Sequence, residues 1–271
     1  MKKLIVFALC ALFSVTVQAQ ITIKGHVVNA RHEGVEYVTI GFEGDSIGTI
    51  SDAEGHFTLT IPQKRADELV FTHVSYVPQR LSPAAYASGR ELQVELQDKV
   101  VELSEVVVGK KNKAMTIAKK SMTGPVASLR GKGKSLGLEW GPVFQCKKDC
   151  VVSDLILKVI SSSYGWCVLS FNIYEQDGSK LRNVLNKPIY YRFDKPSGRK
   201  ELIIQPEQNI VLKRKKKYFV SLAVVDSDAY GILNMQSQLK SSLARRLSTG
   251  KVKKIPCSPV IIVKGTALDM K

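Results

Sequence analysis

Hydrophobic and polar residues alternate with period two through most of this chain. Ile21, Ile23, Val27 and Val28 surround Gly25 near the start, and Val35, Tyr37 and Thr39 share one face while Glu36, Val38 and Ile40 share the other. Further on, Phe57, Leu59 and Ile61 alternate with His56, Thr58 and Thr60. Successive side chains of a strand point to opposite faces, so each run reads as a half-buried strand. Residues 69–76 and the trio Leu92, Val94 and Leu96 add two more strands. Polar, turn-forming residues interrupt the pattern at 29–34, 44–45 and 52–55, spacings too short for helices. The pattern predicts an all-β sandwich over residues 20–108.

The clearest local signal is "GTISDAEGHFTLTIP", residues 48–62. Asp52 can accept hydrogen bonds from backbone N–H groups two or more residues on, which fixes the start of a turn. Gly55 can take a positive φ that a side chain would oppose. A slip of one residue would point Phe57 at water, so the job of Asp52 and Gly55 is to set register. A calcium loop does not fit, because an EF-type loop needs oxygen side chains at alternate positions before its glycine.

Beyond residue 108 the pattern changes. Gly109, Lys110, Lys111, Asn112 and Lys113 open a polar linker, residues 114–122 are expected to form a short helix, and the linker runs to residue 134. Alternation then resumes with Leu138 and Trp140, is interrupted by Gly141-Pro142, and continues with Cys167, Leu169, Phe171 and Ile173 on one face. Asp177-Gly178 is a hairpin turn, and residues 236–247 are expected to be a helix or a long loop. Residues 135–271 therefore read as a second, jelly-roll-like β-sandwich.

Composition supports this division. The opening "MKKLIVFALCALFSVTVQAQ" joins two lysines to an apolar run and small residues, the form of a secretory signal peptide over residues 1–19. Its apolar run is about 14 residues, short of the roughly 20 that span a bilayer. The protein is thus expected to be exported to the periplasm, outer membrane or cell surface. The whole chain carries a formal charge of +16. Residues 20–100 hold 7 Lys and Arg against 11 Asp and Glu, whereas residues 101–271 hold 31 against 13. The shift marks a domain boundary, and the basic half suits anionic partners, including peripheral contact with a membrane. Nucleic acid is not expected outside the cytoplasm.

Four cysteines follow the leader: Cys146, Cys150, Cys167 and Cys257. Cys146 and Cys150 flank three residues and are candidates for a local disulfide; the alternative is free thiols packed as small hydrophobes. No second close cysteine pair follows and no histidine lies beyond His73, so no metal site is expected, and no cofactor. No catalytic set stands out either; Asp226 and Asp228 are the one suggestive pair of acids and read as loop residues. Trp140, Trp166, Tyr190 and Tyr230 are candidate ligand contacts, since a ring face suits the apolar face of a sugar. The run Lys213, Arg214, Lys215, Lys216 and Lys217 lies between two strands and is the candidate patch for an anionic partner.

The segments "IKGHVVN", "VEYVTIGFEG", "IGTISDAEGHFTLTIP", "LVFTHVSYVPQRL" and "LQVELQD" resemble the carboxypeptidase regulatory-like domain. Gly25, Val27, Asn29, Gly48, Thr49, Ser51, Asp52, Gly55, Phe57, Ser75 and Tyr76 fall on that family's pattern in order, and only the loop "RHEG", residues 31–34, departs from it. The resemblance implies a seven-stranded, transthyretin-like sandwich that is an accessory module and not itself a peptidase. Such modules head TonB-dependent outer-membrane receptors or occur in other envelope proteins, and "LSEVVVG", residues 103–109, resembles the segment that follows them. The resulting expectation is a non-catalytic binding or scaffolding protein of the envelope, with a glycan or an envelope protein as partner. Two alternatives stand beside it: a hydrolase with its site in the C-terminal sandwich, and an accessory to a TonB-dependent receptor.

Overall fold

The computed structural model describes residues 20–62, 65–100, 114–118, 123–131, 135–194 and 200–268. Among these the regular structure is β apart from the short helix Pro83–Tyr86. The fold class is the all-β arrangement expected from the alternation. The leader, the "LSEVVVG" stretch and the first residues of the linker lie outside the described residues.

In the N-terminal part, Gln20–Asn29 runs antiparallel to His56–Pro62 and parallel to Leu92–Leu96. A second, antiparallel sheet orders Gly48–Ile50, Thr39–Gly41, Leu69–Thr72 and Gln79–Leu81. Side chains of both sheets, among them Ile23, Val27, Ile40, Phe57, Leu59 and Phe71, form one buried core. The Phe57 and Phe71 rings meet edge to face with centroids 5.7 Å apart. The strand expected over residues 35–40 begins only at Thr39. Its first half is instead a loop pinned by Ser51, whose Oγ accepts from Val38 N at 2.8 Å and donates to Val35 O at 2.9 Å. Tyr37 sits there at φ 52°, a value a regular strand excludes.

The turn over residues 52–55 has the expected construction. Asp52 Oδ1 accepts from Glu54 N at 3.1 Å and His56 N at 2.7 Å. Gly55 has φ 88°, and a Cβ there would lie 2.4 Å from Val27 O.

The C-terminal part pairs two larger sheets. One orders Lys180–Asn183, Trp166–Asp177, Lys217–Ser227, Leu138–Gln145, Ser237–Arg246 and Lys253–Pro259, with Ile189–Asp194 also on Trp166–Asp177. The other is built on the long strand Cys150–Ser162, flanked by Ile261–Ala267, Lys200–Ile204 and Leu233–Met235. Their shared core takes in Leu155, Leu157, Cys167, Leu169, Phe171, Ile173, Val220 and Leu222.

Three local expectations are corrected. Ala114–Ala118, expected as the start of a helix, is a strand on Ile261–Ala267, and Ala127–Leu129 is a strand on Leu233–Met235. Much of the presumed linker thus belongs to the second sandwich. Residues 236–247 are largely the strand Ser237–Arg246. Its buried positions include Ser237, Gln238 and Ser242, so polarity hid the alternation. Gly141-Pro142 does not interrupt its strand. Toward Lys217–Ser227 the paired residues are Trp140 with Leu222 and Val143 with Phe219, leaving Gly141 and Pro142 without partners on that side. Pro142 has no N–H to donate, and a Cβ on Gly141 would lie 1.8 Å from Val220 O.

Candidate functional site: the cleft between the two sandwiches

The strand Lys217–Ser227 is apolar on both faces. Val220, Leu222 and Val224 enter the core between the large sheets, while Phe219, Ala223 and Val225 face the other way and are buried too. A sheet buried on both faces needs a cover. The N-terminal sandwich covers one end, where Ile50 packs with Val168, Ala223, Val225 and Leu247, flanked by Tyr37, Trp166 and Tyr190. Thr72 Oγ1 meets Ser248 Oγ at 2.6 Å, Arg246 Nη2 donates to Gly48 O at 3.1 Å, and Gly44 N donates to Thr249 O at 2.8 Å. The two sandwiches are joined by an apolar contact edged with hydrogen bonds.

Beside this contact a cleft of about 550 Å³ opens. Its floor is the outer face of the large sheet, with Ser170, Asn172, Tyr174 and Glu139. One wall is the segment holding His73, Tyr76 and Pro78, and the other the hairpin strand with Leu181, Arg182 and Asn183. Four tyrosines, Tyr37, Tyr76, Tyr174 and Tyr190, line it.

The floor contains a buried charge pair. Glu139 Oε2 accepts from Arg245 Nε at 2.5 Å. Glu139 Oε1 accepts from Tyr174 OH at 2.7 Å, Asn172 Nδ2 at 3.1 Å and Ser221 Oγ at 3.2 Å. The Arg245 guanidinium carbon lies 4.5 Å from the centre of the Tyr174 ring. Burial and the neighbouring Glu139 carboxylate hold the Tyr174 phenol well above its ordinary pKa. Burial works against the Arg245 charge, but Glu139 outweighs it and keeps the guanidinium protonated. Glu139 and Arg245 are 5% and 8% exposed, so the pair is cut off from solvent compensation. Arg245 Nη2 is buried without a hydrogen-bond partner.

His73 ties the wall to the floor, its Nε2 lying 3.2 Å from Tyr190 OH. Burial pushes its pKa from the ordinary 6.5 down to about 4. Between those values the unfolded chain binds a proton at this residue that the folded chain refuses. Stability is therefore undiminished above the upper value and falls as the pH drops through the window, by at most about 1.4 kcal/mol per pH unit. Urea midpoints followed across this range should fall less steeply for His73→Gln than for the parent. Parallel slopes would contradict a neutral, buried imidazole.

The aromatic residues singled out in the sequence are dispersed. Tyr190 lines the cleft. Trp140 is half-buried against the core, its Nε1 donating to Ser242 Oγ and Cys257 O, each at 3.1 Å. Trp166 packs at the domain contact with the Arg192 guanidinium 4.2 Å from its ring centre. Tyr230 is 81% exposed. Asp226 is the penultimate residue of the strand Lys217–Ser227 and its Oδ1 accepts from Ser227 N at 2.8 Å, while Asp228 Oδ2 accepts from Gly165 N at 3.0 Å. Residues 213–217 are exposed, 213–216 forming the turn and Lys217 opening the next strand, and Lys216 Nζ lies 3.1 Å from Glu175 Oε1. Cys146 and Cys150 are buried free thiols with their sulfurs 3.3 Å apart. Among the described residues no group of three or more His, Cys, Asp or Glu is arranged to hold a metal ion.

Glu139, Asn172, Tyr174 and Arg245 were not singled out by sequence. Their signal was indirect: a strand with apolar residues on both faces implies a covered outer face, and polar residues beside it must then pair with one another.

The fold and its cleft define a two-part, all-β protein with a ligand-sized opening between its modules. Residues 23–108 match the family model of the CarboxypepD_reg-like domain. Over 119 residues, 44% of this chain, the sequence is 34% identical to the TonB-dependent receptor SusC of Bacteroides thetaiotaomicron, and the match spans 11% of that receptor's length. Among solved structures, the T=1 particle derived from infectious bursal virus aligns over 92% of this chain and 62% of its own at 12% identity, with a TM-score of 0.29. The T13 particle of IBDV aligns over 94% and 58% at 11% identity, with a TM-score of 0.28. TM-scores this low define no shared fold.

Proposed function

We propose that this chain is an exported, non-catalytic binding protein of the cell envelope, and that it recognises a glycan in the cleft between its sandwiches. The observation that carries the reading is the cleft itself. Its volume suits a short oligosaccharide, tyrosine rings line it, and amide, hydroxyl and guanidinium groups converge on its floor. Ring faces suit the apolar faces of sugars, and the polar groups suit their hydroxyls. The acid in the cleft supports binding over hydrolysis, because Glu139 already accepts from four donors and faces Arg245 rather than a second carboxylate. The regulatory-like domain and the partial likeness to a TonB-dependent receptor support an envelope setting and an accessory role.

Retention of soluble oligosaccharides on the immobilised full chain tests the proposal. Tyr76→Leu, which keeps an apolar contact but removes the ring face, should weaken retention at least tenfold while unfolding as the parent does; Asn183→Ala should weaken retention as much but also lower stability, because Asn183 Nδ2 donates to Asn172 Oδ1 at 2.8 Å and its Oδ1 accepts from Leu185 N at 3.0 Å. Tyr230→Ala, at an exposed residue that does not line the cleft, should leave it unchanged.

A further inference from the structure

We propose that Cys146 and Cys150 become a disulfide in the exported protein, and that this bond is the mount of the basic turn at residues 213–217. The sulfurs already lie 3.3 Å apart, one residue either side of a three-residue loop, and neither cysteine has another thiol as partner. Both cysteines also grip the turn through the backbone. Cys146 N donates to Lys216 O at 2.9 Å and Cys146 O accepts from Lys215 N at 2.8 Å. Cys150 stands opposite Leu212 in the sheet, where the turn begins. Between them, Asp149 Oδ1 accepts from Arg214 N, and just before Cys146 the Gln145 Nε2 donates to Lys215 O at 3.0 Å.

The turn needs such a frame. Lys215 sits at φ 66°, which a residue with a side chain holds only when its surroundings fix it. All five residues of the turn are exposed and basic, and Lys147 and Lys148 lie on the loop between the cysteines. These like charges repel one another in any compact arrangement. A covalent link between the two gripping residues keeps the seven cations on one surface for an anionic partner.

The chemistry is thiol–disulfide exchange with a disulfide-bearing oxidant of the thiol oxidoreductase or glutathione class. The Cys146 thiolate attacks one oxidant sulfur and releases the other as a thiolate. The Cys150 thiolate then attacks Cys146 in the mixed disulfide and expels the second. The two thiol protons pass to the two expelled thiolates, so the oxidant is reduced by the two electrons the cysteines lose. Hydrogen bonding from Cys150 lowers the Cys146 pKa, which favours Cys146 as the first attacker.

The test uses the full chain carrying Cys257→Ser, to prevent exchange between molecules. After equilibration with oxidised glutathione and alkylation of remaining thiols, tryptic peptides are mapped by mass. Cleavage after Lys147 or Lys148 separates the two cysteines, so a linked peptide pair reports the bond. The expected result is a linked pair as the dominant form, with limited trypsin cutting at residues 213–217 several-fold faster after reduction. Cys150→Ser should cut like the reduced parent. Recovery of both cysteines alkylated would overturn the bond. A linked pair with unchanged cutting would overturn its role as the mount.

Discussion

Glu139→Ala lowers the stability of the full chain by about 3–5 kcal/mol, because it leaves Arg245 as a buried cation without its counter-charge. The same change removes the acceptor for Tyr174 OH, Asn172 Nδ2 and Ser221 Oγ, three donors that burial denies to water. Urea unfolding should show the loss as a lower midpoint at nearly constant slope. Replacing both members together, Glu139→Leu with Arg245→Met, should recover the share of the loss due to the bare Arg245 charge, but not the share due to the Tyr174, Asn172 and Ser221 donors, which stay without their acceptor. A single Glu139→Ala change within about 0.5 kcal/mol of the parent, the range of an ordinary surface substitution, would show that the pair is solvated and that the cleft floor is not as described.

Gly55→Ala is expected to cost on the order of 2–4 kcal/mol, combining a side chain forced into positive φ with steric conflict. The added Cβ would lie 2.4 Å from Val27 O and 2.9 Å from Val35 N, both backbone atoms of neighbouring segments that cannot swing aside. The turn holds Phe57 inward and His56 outward along the pairing with Gln20–Asn29. Its failure should loosen the N-terminal sandwich as a whole. Thermal unfolding reads the loss. If Gly55→Ala unfolded with the parent but no longer retained oligosaccharide, the turn would be part of the site, and its architectural role would be wrong.

Much of the N-terminal sandwich was legible because its strands are buried on one face and solvated on the other. Phe57, Leu59 and Ile61 mark that face directly, and Asp52 and Gly55 mark the turn through backbone chemistry. The second sandwich was harder to read where polar residues replace apolar ones in the interior. Gln238 and Ser242 are fully buried and bond to Ser258 Oγ and to backbone carbonyls, which conceals the strand Ser237–Arg246. The cleft was illegible for a different reason. It is made by residues 73–74, 76–78, 139, 170, 172, 174, 181–183 and 245, among others, which only the docking of two sandwiches brings together. Of the four aromatic residues chosen for ligand contact, Tyr190 alone lines that opening. Alternation places a side chain on a face of its strand; it does not say which module will cover that face.

The central claim is that the cleft holds a glycan and leaves it intact. The most direct measurement applies labelled oligosaccharides to the immobilised full chain, records retention, and resolves the recovered material by size. The account predicts retention that falls at least tenfold in Tyr76→Leu and Asn183→Ala, with every recovered oligosaccharide at its original length. Retention that is indifferent to both variants, or shortened products that disappear when Glu139 is replaced, would contradict it.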